Sequence, residues 1–217
     1  MRCTTSGASS GASGSRDAHE HETVREKDEA LSMRRLAPEE CVVLVIDVQE
    51  RLAAAMPPAQ MAELTRATTV LVDAATRLGA RVLATEQYPT GLGPTIAPVA
   101  EELAKAGVVP FAKIDFSACD DAAFERAFSR TGARAAIVVG METHVCVFQT
   151  VRELAARGVD VFVPMDGVAS RRDDHRAAGL DLCRGAGATI TTMESVVFDW
   201  LRRAGSDAFK HLSKRIR

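Results

Sequence analysis

The spacing of hydrophobic positions becomes regular at Cys41. From there on, short runs rich in Val, Ile and Ala alternate with longer alanine-rich stretches. The short runs are apolar at nearly every position, which is typical of strands buried on both faces of a parallel sheet. We predict strands at residues 41–47, 81–85, 108–112, 134–139, 159–163 and 188–192, and helices at roughly 59–78, 98–106, 120–131, 144–157, 173–186 and 195–203.

The alternation of strands and helices predicts the fold class. Strands joined by crossover helices form a doubly wound α/β sandwich, in which helices cover both faces of the sheet. We therefore predict three layers built around a six-stranded parallel sheet. In such folds ligands bind beyond the carboxyl ends of the strands, so the residues that follow each strand are the candidates for chemistry.

The first 32 residues have a different composition. They begin as Gly/Ser/Ala low complexity and continue as a run of charged residues. Neither half can bury enough apolar surface to offset the entropy lost on ordering it. We therefore predict a disordered N-terminal extension over residues 1–32 and one folded domain over residues 33–217, with Met33 as an alternative start of the chain.

Composition narrows the classes of function. The chain has 27 basic and 29 acidic residues, a balance that argues against a dedicated binder of nucleic acid or of membrane surfaces. It has no apolar run of about 20 residues and no apolar segment typical of a signal peptide. Five scattered cysteines without Cys-x-x-Cys spacing suit a reducing compartment. We expect a cytoplasmic protein that acts on a small molecule.

Three reactive groups follow three different strands. Asp47 ends the first predicted strand, Lys113 follows the third, and Cys146 follows the fourth. Each has an ordinary explanation, because an Asp can cap a turn or hold Mg²⁺, a Lys can be a solvated loop residue, and a Cys can be a small buried hydrophobe. Parallel strands end at one edge of the sheet, however, so together the three residues predict a cleft with an acid, a base and a thiol.

Cys146 has the strongest physical case for reactivity. Thr143 is a plausible N-cap, which would place Cys146 in the first turn of a helix. There the helix dipole and the free backbone N–H groups stabilise a thiolate, and a nearby ammonium such as that of Lys113 adds to the effect. We therefore expect the pKa of Cys146 to be lowered. A carbonyl bound there would also meet N–H donors able to hold an oxyanion.

The segments IDVQERL, KIDFS and GMETHVCVFQT resemble the isochorismatase-like cysteine hydrolase family. The loop EQYPTGLGPT and the C-terminal segments are most similar to small isochorismatase-domain hydrolases of mostly unassigned substrate. The resemblance implies a six-stranded parallel α/β domain with a catalytic triad of Asp47, Lys113 and Cys146. It also implies a cis peptide between Met141 and Glu142, and an oxyanion hole made by the N–H groups of Glu142 and Cys146.

This resemblance leads to a functional hypothesis. Asp47 accepts the proton of Cys146, and the thiolate attacks the carbonyl of a small amide, which hydrolyses a C–N bond through an acyl-enzyme. No cofactor is implied. Nicotinamidases carry an Asp-x-His metal motif after the second strand, where this chain has Glu86, Gln87 and Tyr88, so we expect no metal. The candidates for the substrate pocket are Gln87, Tyr88, Phe116 and His144.

Two other functions remain open at this stage. The same fold can perform isochorismatase-type hydrolysis of a vinyl ether, with Asp47 as the general acid and no role for Cys146. Alternatively, the fold could survive as a non-enzymatic interaction scaffold, although an intact Asp-Lys-Cys set argues against that.

The C-terminal segment bears on assembly. Asp207 can cap a short helix in which Phe209, Leu212 and Ile216 form an apolar stripe. Such a helix is marginal alone in water, so the stripe needs a surface to cover it. The family resemblance implies homo-oligomers. We therefore expect the stripe to lie at a subunit interface of a homodimer or a higher oligomer.

Overall fold

The computed structural model describes residues 35–216, and the predicted extension over residues 1–32 lies outside them, as does Met33. The strands are β1 (Cys41–Ile46), β2 (Arg81–Gln87), β3 (Phe111–Lys113), β4 (Ala135–Met141), β5 (Asp160–Pro164), β6 (Val168–Ala169) and β7 (Thr189–Thr191). The α-helices are α1 (Glu50–Ala53), α2 (Pro58–Leu78), α3 (Pro89–Leu92), α4 (Ala97–Lys105), α5 (Ala122–Thr131), α6 (Phe148–Ala156), α7 (Asp173–Gly185), α8 (Met193–Leu201) and α9 (Asp207–Ile216).

All strands belong to one parallel sheet. Its order is β3-β2-β1-β4-β5-β7, and β6 pairs with the end of β4. The chain moves outward from β1 through β2 to β3, and then returns to the other side of β1 with β4. The gap beyond the ends of β1 and β4 is therefore the topological switch point at which such folds bind ligands. The predicted fold class is confirmed, with the two-residue strand β6 as an addition.

Helices cover both faces of the sheet because the strands are apolar on both. In β1, Val43 and Val45 pack into one core with α2, α8 and α9, while Val42, Leu44 and Ile46 pack into a second core with α5, α6 and α7. All six residues of β1 are buried. This explains why the strand sequence is continuously hydrophobic rather than alternating.

Among the strand boundaries that differ from the prediction, two bear on the site. β3 begins at Phe111 rather than at residue 108, and the side chain of Val109 before it is 81% exposed. β2 continues to Gln87, because Gln87 pairs with Lys113 and the Tyr88 N–H donates to the Lys113 carbonyl at 2.8 Å. Lys113 is therefore the last residue of a strand rather than part of the following loop.

The prediction for the C-terminal stripe was wrong. Leu212 and Ile216 pack into the chain's own core beside α2, so this stripe is covered without a second subunit. Asp207 is the first residue of α9 and not its cap, because the Phe209 N–H donates to the hydroxyl of Ser206 at 3.1 Å. None of the helices described over residues 35–216 is both long and apolar enough to cross a membrane.

Candidate active site

Asp47 follows β1 directly and is completely buried. Its Oδ1 accepts a hydrogen bond from the Thr85 hydroxyl at 2.7 Å, and its Oδ2 accepts one from the Lys113 ammonium at 2.7 Å. The backbone φ of Asp47 is 53°, in the left-handed region that few residues other than glycine adopt. Such a conformation persists only where the surroundings enforce it. Both carboxylate oxygens are thus held in fixed positions at the switch point.

Lys113 reaches Asp47 across a neighbouring strand. β3 lies two strands from β1, a distance of about 10 Å that the long lysine stem can span. The Lys113 ammonium also donates to the Gln87 side-chain oxygen at 2.7 Å and to the carbonyls of Asp115 and Phe116 at 3.1 and 3.2 Å. A buried ion pair is tolerated only when such additional hydrogen bonds satisfy its remaining donors. The structure therefore places Gln87 as a partner of Lys113.

Gln49 is a site residue that the sequence reasoning missed. It is fully buried, its Nε2 donates to the carbonyls of Gln87 and Gly93 at 3.0 and 2.7 Å, and its Oε1 accepts from the Gln87 N–H at 2.8 Å. These bonds connect the segment after β1 to the end of β2 and to the loop after α3. Its sequence signal is weak, since it consists only of an amide two residues after the strand-ending acid.

The turn that carries the thiol depends on a glycine in β4. Gly140 has a φ of 131°, and a Cβ atom there would lie 2.0 Å from the carbonyl oxygen of Ile46 in β1. Only glycine permits this close approach of the two strands. β4 ends at Met141, the peptide between Met141 and Glu142 is cis, and one turn of π-helix follows over Thr143–Val147.

The prediction that Thr143 caps this turn was wrong. Glu142 occupies the N-cap position, and its carbonyl accepts the N–H groups of Val145 and Val147 at 3.0 and 3.3 Å. Thr143 is the first helical residue instead, and its buried hydroxyl has no hydrogen-bond partner among residues 35–216. The prediction failed because it assumed an α-helix, whereas this segment forms a π turn, in which hydrogen bonds join residues five positions apart.

Cys146 is buried, and the charge of the Asp47 carboxylate acts on its thiol. Burial, the largest cause, and the charge of Asp47 raise the pKa of the Cys146 thiol to about 12, although the charge of Lys113 opposes both. The expectation of a lowered pKa is therefore contradicted. The reason is that the desolvation of a buried thiolate outweighs the helix terminus. At rest, the site holds a protonated thiol next to a carboxylate.

A second ion pair lies beside the turn. The buried Glu142 carboxylate accepts the Arg171 backbone N–H at 3.0 Å and the Arg171 Nε at 3.1 Å. Its burial acts to raise the pKa of Glu142, but the hydrogen bonds and the charge of Arg171 prevail, so that the pKa is lowered. Glu142 is therefore an anion at neutral pH, and the Arg171 guanidinium balances it.

His144 lies on the side of the turn that faces α7. Its Nδ1 is 3.1 Å from the Ser170 hydroxyl, and its ring centroid is 4.7 Å from that of His175. Gly179 of α7 packs so closely on the turn that a Cβ there would lie 2.7 Å from the His144 nitrogen. Burial lowers the pKa of His144, which keeps the ring neutral at pH 7. Its predicted contact with substrate stays a prediction.

Tyr88 and Phe116 flank the outer end of the lysine. Their side chains are 53% and 55% exposed, and each belongs to a segment that hydrogen-bonds Lys113 through its backbone. Ile114, which we did not predict, follows Lys113 in the chain and is also exposed. We name Tyr88, Ile114 and Phe116 the apolar rim. Among residues 35–216, no group of three or more His, Cys, Asp or Glu side chains is arranged to hold a metal ion.

Comparisons with known proteins show which family the chain resembles. Residues 41–195 match the model of the isochorismatase domain. The chain belongs to the isochorismatase-like hydrolase family. Within this family, it is 35% identical over 185 residues to the secreted isochorismatase effector Isc1 of Phytophthora sojae, a match that covers 84% of this chain and 87% of the relative.

Two solved structures show the same isochorismatase-like fold. The MAR1 ribonuclease of Caenorhabditis elegans has a TM-score of 0.77 and 33% identity, covering 84% of this chain and 92% of that one. The YcaC protein of Escherichia coli, described as an octameric hydrolase of unknown specificity, has a TM-score of 0.77 and 23% identity, covering 83% and 90%. The chain is accordingly a member of a hydrolase family and has a parallel α/β fold.

Proposed function

We propose that the protein hydrolyses the C–N bond of a small amide through an acyl-enzyme on Cys146. One observation carries this proposal. The buried Asp47 carboxylate accepts a hydrogen bond from the Lys113 ammonium at 2.7 Å, and its charge acts directly on the buried Cys146 thiol. A carboxylate held between a thiol and a fixed cation is arranged to take the thiol proton and to remain in place afterwards.

The raised pKa of Cys146 defines when the proton moves. The pKa of about 12 is about five pH units above neutrality, so the free-energy cost of forming the free thiolate at pH 7 is roughly 7 kcal/mol. A free thiolate is therefore too costly to accumulate. The proton passes to Asp47 as the sulfur attacks the substrate carbonyl, so that Asp47 is a general base in the same step.

The proposed reaction then runs in two halves. In the first, the S–C bond forms and the carbonyl electrons move to oxygen, after which the C–N bond breaks and the amine leaves with the proton from Asp47. In the second, Asp47 removes a proton from water, the water oxygen attacks the acyl carbon, and the S–C bond breaks as Cys146 regains its proton. The sum is amide plus water giving acid plus amine.

The oxyanion requires hydrogen-bond donors, and we assign the N–H groups of Glu142 and Cys146 to it. In support, the backbone hydrogen bonds found outside the helices and strands of residues 35–216 include none from the Glu142 peptide N–H. A free N–H next to the nucleophile is available to developing negative charge. Removing one such donor typically costs about 10²–10³-fold in rate.

The apolar rim supports a substrate with a hydrophobic portion. We place its acyl group between Cys146 and the rim of Tyr88, Ile114 and Phe116, with His144 at the opposite side. Gln87 holds Lys113, and its predicted contact with substrate stays a prediction. We propose no metal or other cofactor for this reaction.

A panel of small amides, ureides and nicotinamide, assayed for ammonia release, tests the function. Cys146→Ala should abolish turnover, whereas Cys119→Ala, which removes another buried thiol, should retain it. If a vinyl-ether substrate is hydrolysed and Cys146→Ala retains that activity while Asp47→Asn loses it, the proposal fails in favour of the isochorismatase-type reaction. A short RNA belongs in the panel because the worm relative is named a ribonuclease.

We also propose that the protein acts in the cytoplasm as a homo-oligomer. The four cysteines in the described part of the chain are all free and buried, which suits a reducing compartment. The octameric YcaC protein shares the fold. Light scattering at low micromolar concentration should give at least a dimer mass, and a monomer mass would contradict this part.

A further inference from the structure

The Glu142 carboxylate receives all its hydrogen bonds in the described part of the chain from one residue. Arg171 donates to it through its backbone N–H at 3.0 Å and through its Nε at 3.1 Å, and the Nη2 is also within 3.1 Å. The Glu142 side chain is 8% exposed, whereas that of Arg171 is 60% exposed. A single surface arginine therefore neutralises a buried acid.

This acid belongs to the residue that begins the nucleophile turn. The Glu142 carbonyl accepts the N–H groups of Val145 and Val147, on either side of Cys146. Its peptide N–H is the free donor described above. Glu142 thus has three polar groups with different roles. Its carbonyl binds the turn, its peptide N–H is assigned to the oxyanion, and its carboxylate binds Arg171.

The sheet brings Arg171 to this position. β6 pairs with β4 in parallel through Gly140 with Val168 and Met141 with Ala169. Two residues after this short ladder ends, the chain reaches Arg171 directly beside Glu142. The two-residue strand β6 therefore aligns Arg171 with the start of the turn.

We propose that Arg171 is a positioning residue, which fixes the Glu142 peptide so that its N–H meets the oxyanion. The inference rests on the proposed function, because it assumes that an oxyanion forms at Cys146. Without Arg171, the buried carboxylate would have no cation and would move toward water. That movement would rotate the adjoining peptide, while Cys146 would keep its own interaction with Asp47.

Two reagents distinguish a displaced oxyanion donor from a general change in the reactivity of Cys146. Iodoacetamide alkylates Cys146 by displacement at carbon and forms no oxyanion. Acetaldehyde adds reversibly, because the S–C bond forms as the thiol proton passes through Asp47 to the carbonyl oxygen, and this oxygen occupies the oxyanion position. The protection of Cys146 from iodoacetamide by acetaldehyde, measured by peptide mass spectrometry at pH 8.5, therefore reports on the oxyanion site alone.

Arg171→Ala should weaken the acetaldehyde protection by about tenfold, while the rate of alkylation without acetaldehyde changes less than about threefold. Arg172→Ala is the matched control, because this neighbouring arginine pairs with the exposed Asp174 and should behave as wild type. Arg171→Lys should lie between, since an ammonium cannot reproduce the guanidinium fork.

A paired variant guards against misfolding. Arg171→Met with Glu142→Gln leaves no unpaired acid buried, but it also removes the guanidinium hydrogen bonds that fix the side chain of residue 142, so it too should lose the protection. If either this variant or folded Arg171→Ala is protected as well as wild type, the positioning role is overturned. If wild type itself shows no protection, the proposed function fails and takes this inference with it.

Discussion

Replacing Lys113 by methionine tests the central ion pair. Methionine keeps most of the length and the apolar stem of lysine but removes the cation, which leaves the Asp47 carboxylate buried without its 2.7 Å partner. Removing one member of a buried ion pair costs about 3–5 kcal/mol. For a domain of this size each kcal/mol shifts the melting temperature by about 2–4 °C, so we expect Lys113→Met to melt roughly 10 °C lower.

The second member of the pair provides the decisive comparison. In the double variant with Asp47→Asn, no charge is left uncompensated, and Thr85 can still donate to the amide oxygen. The double variant should therefore recover at least half of the lost stability. Lys105→Met is the control, because Lys105 is exposed and its partner Glu102 also binds Arg215, so the loss should stay below about 1 kcal/mol.

Thermal melts and urea titrations of these variants measure the effect. The reasoning would be refuted by a loss of less than 1 kcal/mol in Lys113→Met, or by a double variant no more stable than the single one. The first result would mean that water enters the cleft freely enough to solvate Asp47. The second would mean that the lysine stem, and not the charge, supplies the stability.

Three further predictions concern other parts of the molecule. The rate at which iodoacetamide alkylates Cys146 should rise without a plateau from pH 7 to 9, because the pKa is raised to about 12 and the thiolate is the reactive form; a plateau near neutral pH would contradict the burial argument. Gly140→Ala should cost more than about 3 kcal/mol or prevent soluble expression, because its Cβ would lie 2.0 Å from the Ile46 carbonyl; a normal urea midpoint would count against it. Burial tends to raise the pKa of Asp73, but its hydrogen bonds to His211 and two arginines prevail, so that the pKa is lowered. The stabilisation of the folded state by these bonds is therefore present above the ordinary carboxyl pKa and is lost as pH falls through the lowered value. Asp73→Asn should destabilise the protein at pH 7, and urea titrations should show that it loses less stability on acidification than wild type.

The sheet and the three central residues could be predicted because each depends on a short segment of sequence. Continuously apolar runs indicate doubly buried strands, and parallel strands must end at the same edge. This logic alone places Asp47, Lys113 and Cys146 near one another. The structure adds the 2.7 Å bond between Lys113 and Asp47 and the burial of all three residues.

The remainder depends on contacts between distant segments. The bonds of Gln49 to Gln87 and Gly93 join residues 38 and 44 positions apart, and no local pattern records them. The pKa of Cys146 follows from how deeply the fold buries it. The amphipathic pattern of α9 predicts an apolar face, but only the packing against α2 shows which surface covers that face.

The side-chain bonds that cross the ends of β1, β2 and β3 have a consequence for fluctuations. The open edge of a sheet is ordinarily where strands fray and where amide protons exchange early with solvent. Here Gln49 holds the Gln87 N–H, and Lys113 joins β3 to β1 over the intervening strand. The Gln87 amide should therefore exchange with deuterium as slowly as amides in the middle of the sheet. The edge at which we propose that substrate binds would then be among the last parts of the domain to open.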